Sequence, residues 1–279
     1  MIQLYNNVSF KISKLVTHTY STSFSIAVSF LDSEMRNAIY SIYGFVRLAD
    51  EIVDTFHDYD RKELLFRFEN DYYEALNNGL SLNPVLHSFQ YVVKTYRIPD
   101  ELIQAFLTSM KADLLNNDYS NKAKIDEYIY GSAEAVGLMC LKVFVKGNES
   151  LYDELRYPAM KLGAAFQKVN FLRDLKNDIE NLDRSYFPEI EINTFNNAIK
   201  KQIINDIETD FASSFPGIKK LPQKAKLPVL IAYYYYLSLL NKIKNTPAEK
   251  LMLTRIRVSG SKKFLLLIKA YLACKLKLL

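Results

Sequence analysis

Two short stretches of the chain each carry a pair of aspartates four residues apart. The first is Arg47-Leu-Ala-Asp50-Glu-Ile-Val-Asp54, and the second is Asn170-Phe-Leu-Arg173-Asp174-Leu-Lys-Asn-Asp178. Residues four apart lie on one face of an α-helix, so each stretch would present two carboxylates in the same direction. Like charges at this spacing cost a helix about 0.2–0.5 kcal/mol. Two such pairs, each with an arginine within one turn, indicate a site that holds cations and an anion together.

The side chains of both stretches suit magnesium and phosphate. Carboxylate oxygens are hard ligands for Mg²⁺, which completes its octahedral shell with water and substrate phosphate oxygens. Arginine recognises phosphate in a planar, bidentate manner; Arg47 lies near the face of its aspartates, whereas Arg173 directly precedes Asp174 and is less well aimed. Metal and arginine would stabilise the charge that develops on a leaving diphosphate. The pattern therefore predicts ionisation of a diphosphate ester beside an apolar cavity for its hydrocarbon tail.

A solvated helix face balanced by lysines is the alternative interpretation of the same acidic spacing. The neighbours of each pair argue against it, because they are largely apolar: Leu48, Ala49, Ile52 and Val53 around the first, and Phe171, Leu172, Leu175 and Ile179 around the second. Apolar surroundings make a fully solvated face less natural.

The elements that must position these residues are helical, because apolar residues recur at helical spacing and period-2 alternation is rare. The pattern predicts ten helices, near 9–19, 33–56, 61–77, 83–95, 100–116, 124–146, 150–181, 196–212, 226–245 and 249–277. Prolines are expected at or just beyond helix ends, and Pro158 places the start of its helix near Tyr157. Irregular segments are expected at 183–197 and 215–228. We therefore predict one all-α domain over residues 1–279.

Composition narrows the class of protein. The chain has 279 residues, 49% of them hydrophobic and 24% charged, with only 8 glycines and 8 prolines, which is typical of a globular protein and disfavours a many-turned all-β fold. Cys140 and Cys274 are too far apart in sequence to indicate a disulfide framework or zinc site, so we expect a cytoplasmic setting. The net charge of +5 suits an anionic small molecule and is too weakly patterned for nucleic acid.

Membrane signals are few. The N-terminus has no basic-then-apolar signal sequence, and no uninterrupted apolar run reaches the roughly 18–20 residues of a transmembrane helix. The segment 262–277 mixes lysines with large apolar residues. It could lie in a membrane interface, giving peripheral contact at the inner membrane face, or it could pack on the core with its lysines in water. The sequence leaves both alternatives open.

Five motifs resemble the squalene/phytoene synthase family and occur in its order. They are Tyr20-Ser-Thr-Ser-Phe24 with Tyr40-Ser-Ile-Tyr43, the first acidic motif, Tyr128-Ile-Tyr-Gly-Ser-Ala-Glu-Ala-Val-Gly137, Gln167-Lys-Val followed by the second acidic motif, and Arg184-Ser-Tyr186-Phe-Pro188. The resemblance runs from about residue 15 to about residue 265, which is nearly the whole chain.

The resemblance implies a class I isoprenoid (terpenoid) synthase fold, a bundle of about ten helices around a central cavity. It also implies magnesium-dependent, head-to-head condensation of two prenyl diphosphates through a cyclopropyl diphosphate. The short chain is most like bacterial carotenoid enzymes, so we expect phytoene from two geranylgeranyl diphosphates. Dehydrosqualene or squalene from farnesyl diphosphate is the alternative. We expect Mg²⁺, with Mn²⁺ as a substitute, no use of NADPH, and a monomer or weak homodimer.

Carried over position by position, the resemblance implies roles for fifteen residues. Asp50, Asp54, Asn170, Asp174 and Asp178 would bind the metal and diphosphate. Tyr128 matches a tyrosine proposed to steer the cation or proton chemistry. Substrate-binding positions are Ser21, Phe24, Tyr43, Arg47, Gly137, Gln167, Asn170, Arg173, Tyr236 and Arg255. Plain core packing is the alternative role for Tyr43, Tyr128 and Tyr236.

The sequence departs from the family pattern at several positions. Ser132 and Glu134 stand where valine and glycine are usual, and Lys176 and Asn177 replace a usual Gly-Glu pair. A charge at Glu134 near an apolar cavity would be costly unless it turns outward or pairs with a lysine. A non-catalytic prenyl-lipid-binding homologue would be expected to lose the aspartates, and all four are present here. An all-helical interaction module would leave their spacing unexplained.

Overall fold

The computed structural model describes residues 1–115, 121–182, 186–187 and 195–276. Within these ranges the chain forms thirteen α-helices and one π-helical segment, and no strand. The helices are α1 (Ile2–Tyr20), α2 (Thr22–Ser29), α3 (Ser33–Asp54), α4 (Arg61–Asn78), α5 (Pro84–Tyr96), α6 (Asp100–Leu114), α7 (Lys122–Ile129), α8 (Ala135–Val145), α9 (Glu149–Leu182), α10 (Asn197–Lys220), α11 (Gln223–Lys244), α12 (Ala248–Leu251) and α13 (Gly260–Lys275), with the π segment at Tyr130–Glu134. The all-α prediction is confirmed, with more helices than the ten expected.

Side-chain caps begin several of these helices where the sequence changes from polar to apolar. Asp32 accepts a hydrogen bond from the Met35 N–H at 3.0 Å and thereby begins α3, the helix of the first acidic motif. Asn83 caps α5 in the same way, and Pro84 supplies a preset backbone angle at its first position. Gly79 ends α4 in the left-handed region, with φ of 72°, which an L side chain rarely adopts.

Two hydrophobic clusters form the core. The first joins α3, α4, α5, α6 and α8, and at its centre the Phe45 and Phe89 rings stack 4.0 Å apart. The second joins the C-terminal part of α9 with α10, α11 and α13. Helix α9 reaches both clusters, since Leu155 belongs to the first and Leu172 to the second. The first acidic motif therefore lies on a helix of the first cluster, and the second lies on the part of α9 that belongs to the second cluster.

Three prolines lie inside helices, contrary to the prediction that prolines mark helix ends. Helix α9 begins at Glu149 and passes through Pro158, so a start near Tyr157 is wrong. Pro216 and Pro228 lie inside α10 and α11, so residues 215–228 are mostly helical and the predicted irregular segment there is also wrong. An internal proline costs about 3 kcal/mol. Packing between the long helices α9 and α10 outweighs this local preference.

The ends of the chain also differ from the prediction. Helix α1 begins at Ile2 rather than near residue 9, and the separate helix α2 was not predicted. The helix expected over 249–277 is divided into α12 and α13. Ser259 begins α13 by accepting a hydrogen bond from the Lys262 N–H at 3.4 Å. The irregular segment expected at 183–197 lies mostly outside the described residues.

Helix α7, the π segment and α8 form one stretch, Lys122–Val145, that is long and apolar enough to cross a membrane by length and composition. Within the described part of the chain it alone meets that measure, and 56% of its most apolar window is buried inside the protein. It packs against α3, α6 and α9. Gly131 allows the closest approach to α6, because a Cβ there would lie 2.3 Å from the Ala105 carbonyl oxygen. π-Helical turns occur frequently at functional sites.

Candidate active site

A large cavity of about 1290 Å³ lies where the two halves of the core meet. Its walls come from the end of α1, from α2, α3, α7, the π segment, α8, α9, α10, α11 and α13, and from the segment between α12 and α13. All fifteen residues singled out from the sequence line it: Ser21, Phe24, Tyr43, Arg47, Asp50, Asp54, Tyr128, Gly137, Gln167, Asn170, Arg173, Asp174, Asp178, Tyr236 and Arg255. The tertiary structure thus brings together positions that are spread over most of the chain. Their individual roles stay predictions.

The first acidic motif occupies the C-terminal end of α3. The guanidinium of Arg47 donates to the carboxylates of both Asp50 and Glu51. The same guanidinium lies over the Tyr20 ring, with its central carbon 4.3 Å from the ring centroid. A cation held between an aromatic face and two carboxylates has little rotational freedom. Arg47 is therefore oriented before any ligand arrives.

The second acidic motif holds two arginines on one carboxylate. Arg173 Nη2 donates to Asp174 Oδ2 at 2.6 Å, and Arg255 Nη2 donates to the same oxygen at 3.2 Å, while Arg255 Nε forms an ion pair with Asp174 Oδ1 at 2.6 Å. Arg255 reaches this position from the segment between α12 and α13, far along the sequence from α9. Arg173, which the sequence predicts to be less well aimed than Arg47, contacts the aspartate directly after it and lines the cavity. Two guanidinium groups and an aspartate thus meet in the wall of the cavity.

Tyr43 lies beside the first acidic motif. Its ring stacks on Phe24 with centroids 5.1 Å apart. Burial raises the pKa of Tyr43 to about 12, while the nearby Arg47 and the Ser21 hydroxyl act to lower that pKa. The hydroxyl therefore remains protonated at neutral pH and can donate a hydrogen bond.

Tyr236 occupies the corresponding place beside the second motif. Its hydroxyl donates to Asn170 Oδ1 at 3.3 Å, and its ring stacks on Phe166 with centroids 4.0 Å apart. Burial raises the pKa of Tyr236, while Arg173 acts in the opposite direction. The tyrosine also influences the pKa of Tyr43 on the other wall. Tyr236, the last residue of a four-tyrosine run, thus faces the cavity and orients a predicted metal-binding amide.

Tyr128 is buried, and its hydroxyl belongs to a polar group within the wall. It donates to Asp113 Oδ2 at 2.8 Å and lies 3.4 Å from the Tyr186 hydroxyl. The Tyr128 and Tyr186 rings stack with centroids 5.1 Å apart. Asp113 is only 5% exposed, so a nearby donor lowers the cost of burying its carboxylate. The arrangement combines a structural role with a fixed hydroxyl at the cavity wall.

Apolar side chains line the rest of the cavity. They include Ile39, Ile42, Leu141, Phe144, Leu155, Leu162 and Leu221. Cys140 is among the lining residues, and burial raises the pKa of its thiol to about 12. The cavity thus combines the charged side chains of the two acidic motifs with many apolar side chains, which suits a molecule with an anionic head and a hydrocarbon tail.

The donor atoms of the acidic motifs fit hard divalent cations. Asp50, Asp54, Asp174 and Asp178 offer carboxylate oxygens and Asn170 an amide oxygen, and all five line the cavity. Among the described residues, no three His, Cys, Asp or Glu side chains lie close enough to hold an ion by themselves. The four carboxylates and the amide suit Mg²⁺, because this ion commonly binds one or two protein carboxylates and takes its other ligands from water and substrate phosphate.

Comparison with protein families decides the relationship. The model of the squalene/phytoene synthase family matches residues 17–262. The chain belongs to the squalene/phytoene synthase family. The match includes both acidic motifs and every cavity-lining residue predicted from the sequence.

Named relatives of this family member are synthases of carotenoid precursors. It is 26% identical over 275 residues to phytoene synthase 1 of Zea mays, covering 92% of the chain and 66% of that protein. It is 26% identical over 195 residues to 4,4'-diapophytoene synthase of Staphylococcus haemolyticus, covering 68% of the chain and 66% of that protein. The chain thus spans slightly less than two thirds of these relatives. Phytoene and diapophytoene synthases are prenyltransferases, which is the enzyme class that the family indicates.

Solved structures of similar fold agree with the helical arrangement. A dehydrosqualene synthase superposes with a TM-score of 0.84 over 98% of both chains at 22% identity. A squalene synthase from Alicyclobacillus acidocaldarius superposes with a TM-score of 0.76, covering 91% of this chain and 97% of that chain at 18% identity. At these identities the likeness establishes the fold. The expected isoprenoid synthase fold of this squalene/phytoene synthase family member is therefore confirmed.

The structure adds residues that sequence reasoning did not select. Glu51 shares Arg47 with Asp50, Tyr20 covers the same guanidinium, and Asp113 accepts from Tyr128. Glu51 lay inside a quoted motif, and its spacing of four residues from Arg47 could have identified it, whereas Tyr20 lies at the end of α1 and meets Arg47 on α3 only through packing. Asp113 had no such signal, because it lies on α6 and meets Tyr128 only through the packing of α6 against the stretch that follows.

The unusual Glu134 of this family member is absent from the cavity lining. It lies half-buried at the end of the π segment, in a charged group that includes Lys161, Lys168 and Asp210. Burial raises the pKa of Glu134, while the two lysines oppose that rise and Asp210 adds to it. The expectation that this carboxylate turns away from the cavity or pairs with a lysine agrees with its position. Its charge does not enter the apolar chamber.

Proposed function

We propose that this chain catalyses the magnesium-dependent, head-to-head condensation of two geranylgeranyl diphosphates to phytoene in carotenoid biosynthesis. The observation that carries the proposal is a single cavity lined by both acidic motifs, their arginines and many apolar side chains. Membership of the squalene/phytoene synthase family supports it. The chemistry passes through a cyclopropyl diphosphate, followed by its rearrangement and loss of a proton.

In the first step, departure of the diphosphate, we assign the binding of the leaving group to three arginines. Arg47, Arg173 and Arg255 line the cavity and contact carboxylates. In the proposed complex they turn toward diphosphate oxygens, which they bind in a bidentate manner and orient for departure of the diphosphate. Because the arginines turn toward the diphosphate when it binds, little further reorganisation accompanies the build-up of negative charge on the leaving group.

The metal would be held by Asp50, Asp54, Asn170, Asp174 and Asp178 together with diphosphate oxygens. Bound Mg²⁺ would supply electrostatic stabilisation of the departing diphosphate. Glu51 and Tyr20 keep Arg47 beside the first pair, and Tyr236 keeps the Asn170 amide oxygen turned toward the second.

The remaining residues protect and direct the hydrocarbon. Ile39, Leu141 and Phe144 exclude water from the apolar part of the cavity, where a cation would otherwise be captured by hydroxide or water. Tyr128 holds its proton between its own oxygen and Asp113, and is the hydroxyl best fixed to receive or relay a proton in the final elimination. Tyr43 and Phe24 cover the region beside the first acidic motif.

Chain length is the open part of the proposal. A volume of about 1290 Å³ exceeds the roughly 300–1,000 Å³ of ordinary small-molecule pockets and leaves room for two long chains. The relationship to a plant phytoene synthase over 92% of the chain favours geranylgeranyl diphosphate. The relationship to a staphylococcal diapophytoene synthase favours the second candidate, condensation of farnesyl diphosphate to dehydrosqualene or squalene. Loss of a proton requires no reductant, so NADPH is not part of the proposed reaction.

One assay tests the reaction and its chain length together. Purified protein is incubated with farnesyl or geranylgeranyl diphosphate and Mg²⁺, with and without NADPH, and the hydrocarbon is identified by mass spectrometry. Phytoene from the longer substrate, independent of NADPH, is the expected product. A C30 hydrocarbon alone would select the second candidate, and binding of either substrate without any product would favour a non-catalytic lipid-binding homologue.

Substitution of the aspartates tests the site. We expect Asp50→Asn and Asp174→Asn to lower turnover by at least about a hundredfold, since each removes charge from the predicted metal–diphosphate site. Asp71→Asn is the matched control, because Asp71 is exposed on α4 and does not line the cavity. Near-normal turnover by either cavity variant, with circular dichroism unchanged, would contradict the assignment.

A further inference from the structure

The outer face of α13 is apolar and exposed. Phe264 is 63% exposed, Leu265 58% and Ile268 38%, and the next turns add Tyr271, Leu272 and Leu276 at 47%, 45% and 60%. At 3.6 residues per turn these six side chains occupy an arc of about 140° around the helix axis. A helix on the surface of a globular protein ordinarily presents polar residues on this side. The face therefore lacks the usual composition of a solvated surface.

The opposite face of α13 packs against the rest of the protein. Leu266, Ala270 and Ala273 are buried, and α13 contacts α11. The exposed arc is therefore additional to the apolar face that anchors the helix. Contiguous exposed apolar surface of this kind marks an interaction site.

The charges around the arc select the partner. Helix α13 carries Lys262, Lys263, Lys269 and Lys275 and no acidic residue. Lys262 and Lys269 lie along one border of the arc, and Lys275 lies near its C-terminal end. Lys269 Nζ is 4.5 Å from the Tyr234 ring centroid, which holds its stem along the helix. Apolar side chains that insert, flanked by lysines that remain at the surface, are the pattern by which a helix lies in the interface of an anionic bilayer.

The arc adjoins the cavity. Lys263 and Leu266, within the first two turns of α13, are among the residues that line it. The neighbouring Phe264 and Leu265 point to the outside of the same turns. Helix α13 thus lines the cavity with its inner side and exposes the apolar arc on its outer side. The position matters because the proposed products are hydrocarbons that water does not dissolve.

We propose that α13 docks on an anionic lipid bilayer with its exposed arc in the acyl boundary, so that the cavity opens beside the membrane. Binding of α13 to the bilayer depends only on the surface of this helix. Transfer of a hydrocarbon product into the bilayer rests in addition on the proposed function. The bilayer is the proposed partner, and the lysines would interact electrostatically with its anionic headgroups.

The test measures co-sedimentation of the whole chain with vesicles of phosphatidylglycerol or of phosphatidylcholine. We expect binding to the anionic vesicles that weakens at high salt. The triple variant Phe264→Ser, Ile268→Ser, Leu272→Ser should lose binding by more than about tenfold, because it removes three inserting side chains. The triple variant Lys262→Gln, Lys269→Gln, Lys275→Gln should lose binding to anionic vesicles by about a hundredfold, at about fivefold per lysine.

A matched control comes from α1, which also exposes apolar residues. Leu4, Val8 and Leu15 are 69%, 40% and 66% exposed and do not line the cavity. Leu4→Ser, Val8→Ser, Leu15→Ser should leave vesicle binding unchanged. Equal loss in this control, unchanged binding by the α13 variants, or a parent protein that forms a dimer through α13 instead of binding vesicles would overturn the proposal.

Turnover of short-chain substrate in detergent keeps the two proposals apart. The α13 variants should retain that turnover while losing vesicle binding. A protein that binds vesicles through α13 and makes no hydrocarbon would refute the proposed function and leave the docking surface intact.

Discussion

At the scale of single residues, the site is built from charges that already have partners. Arg47 is held by two carboxylates and a tyrosine ring, and Asp174 is held by two guanidinium groups. Neither acidic motif is therefore a bare pair of repelling charges, which explains how helices with carboxylates four residues apart are stable. Exposed ion pairs contribute little, so the partners matter more for orientation than for stability. A diphosphate would exchange one set of contacts for another.

Cys140 gives a prediction at this scale. Burial raises the pKa of its thiol to about 12, so at pH 8 only about one molecule in ten thousand carries the reactive thiolate. Both thiols are partly exposed and burial also raises the pKa of Cys274, but the rise is larger at Cys140, so we expect iodoacetamide at pH 8 to modify Cys274 before Cys140. Mass spectrometry of digested protein would measure both sites, with urea-unfolded protein as the control in which both react. Equal rates in the folded protein would show that the thiol at Cys140 is solvated.

At the scale of elements, two irregularities shape the cavity wall. The π segment replaces one regular turn between α7 and α8, and it ends at Glu134 beside α9 and the charged group there. Helices α9 and α10 both carry internal prolines where they cross. Local propensity disfavours each feature, so tertiary packing must stabilise both.

Glu134 makes the stability of the π segment depend on pH. Burial raises the pKa of this carboxyl in the folded state, so between its ordinary pKa and the raised one the folded protein binds more protons than the unfolded chain. Stability attributable to Glu134 therefore falls as pH rises through that window. We expect Glu134→Gln to raise the midpoint of thermal unfolding at pH 8 and to lose that advantage near pH 4.

Glu127→Gln provides the comparison for this prediction, since Glu127 is exposed on α7. A constant difference between Glu134→Gln and the parent from pH 4 to pH 8 would mean that desolvation of the carboxylate is not the cause.

Gly217 gives a prediction about the crossing of α9 and α10. A Cβ at this position would lie 2.3 Å from the Cβ of Pro158, which is too close for any real contact. We expect Gly217→Ala to destabilise the protein by about 1–3 kcal/mol, because the helices must separate. Gly260→Ala is the control, since nothing lies within 4 Å of its Cβ. Chemical unfolding would measure both, and equal stability of the two variants would contradict tight packing at the crossing.

At the scale of the whole molecule, the cavity joins the two halves of the core. The first acidic motif belongs to α3 and the second to α9, and Arg255 arrives from the segment before α13. A ligand that contacts all three would connect elements far apart in sequence. Binding to the folded state alone stabilises it in proportion to ligand concentration.

Inorganic pyrophosphate should therefore stabilise the protein only when Mg²⁺ is present. At about one hundred times its dissociation constant the expected gain is about 2.7 kcal/mol in the free energy of unfolding, seen as a rise in the midpoint of thermal unfolding. Chelation of the metal should abolish the rise, and Asp174→Asn should reduce it without any change in the unliganded protein's secondary structure. A rise of equal size in the presence of chelator would argue against a metal-dependent site.

Some of this protein could be predicted from its sequence. Helical periodicity predicted an all-α fold, and fixed spacing along one helix placed Asp50 with Asp54 and Asp174 with Asp178. Motif order identified the family to which the residues belong. These features are local, because a helix relates residues three and four apart whatever surrounds it.

Other features depend on contacts between distant elements. Pro158 and Pro216 stay inside helices because α9 and α10 pack across Gly217, and Asp113 meets Tyr128 only when α6 packs against the following stretch. The sequence by itself determined which residues share a helix face and hence the chemistry available. Only the tertiary structure decided that the two acidic faces, Arg255 and an apolar chamber form one cavity, since that depends on packing energies summed over many contacts rather than on local spacing.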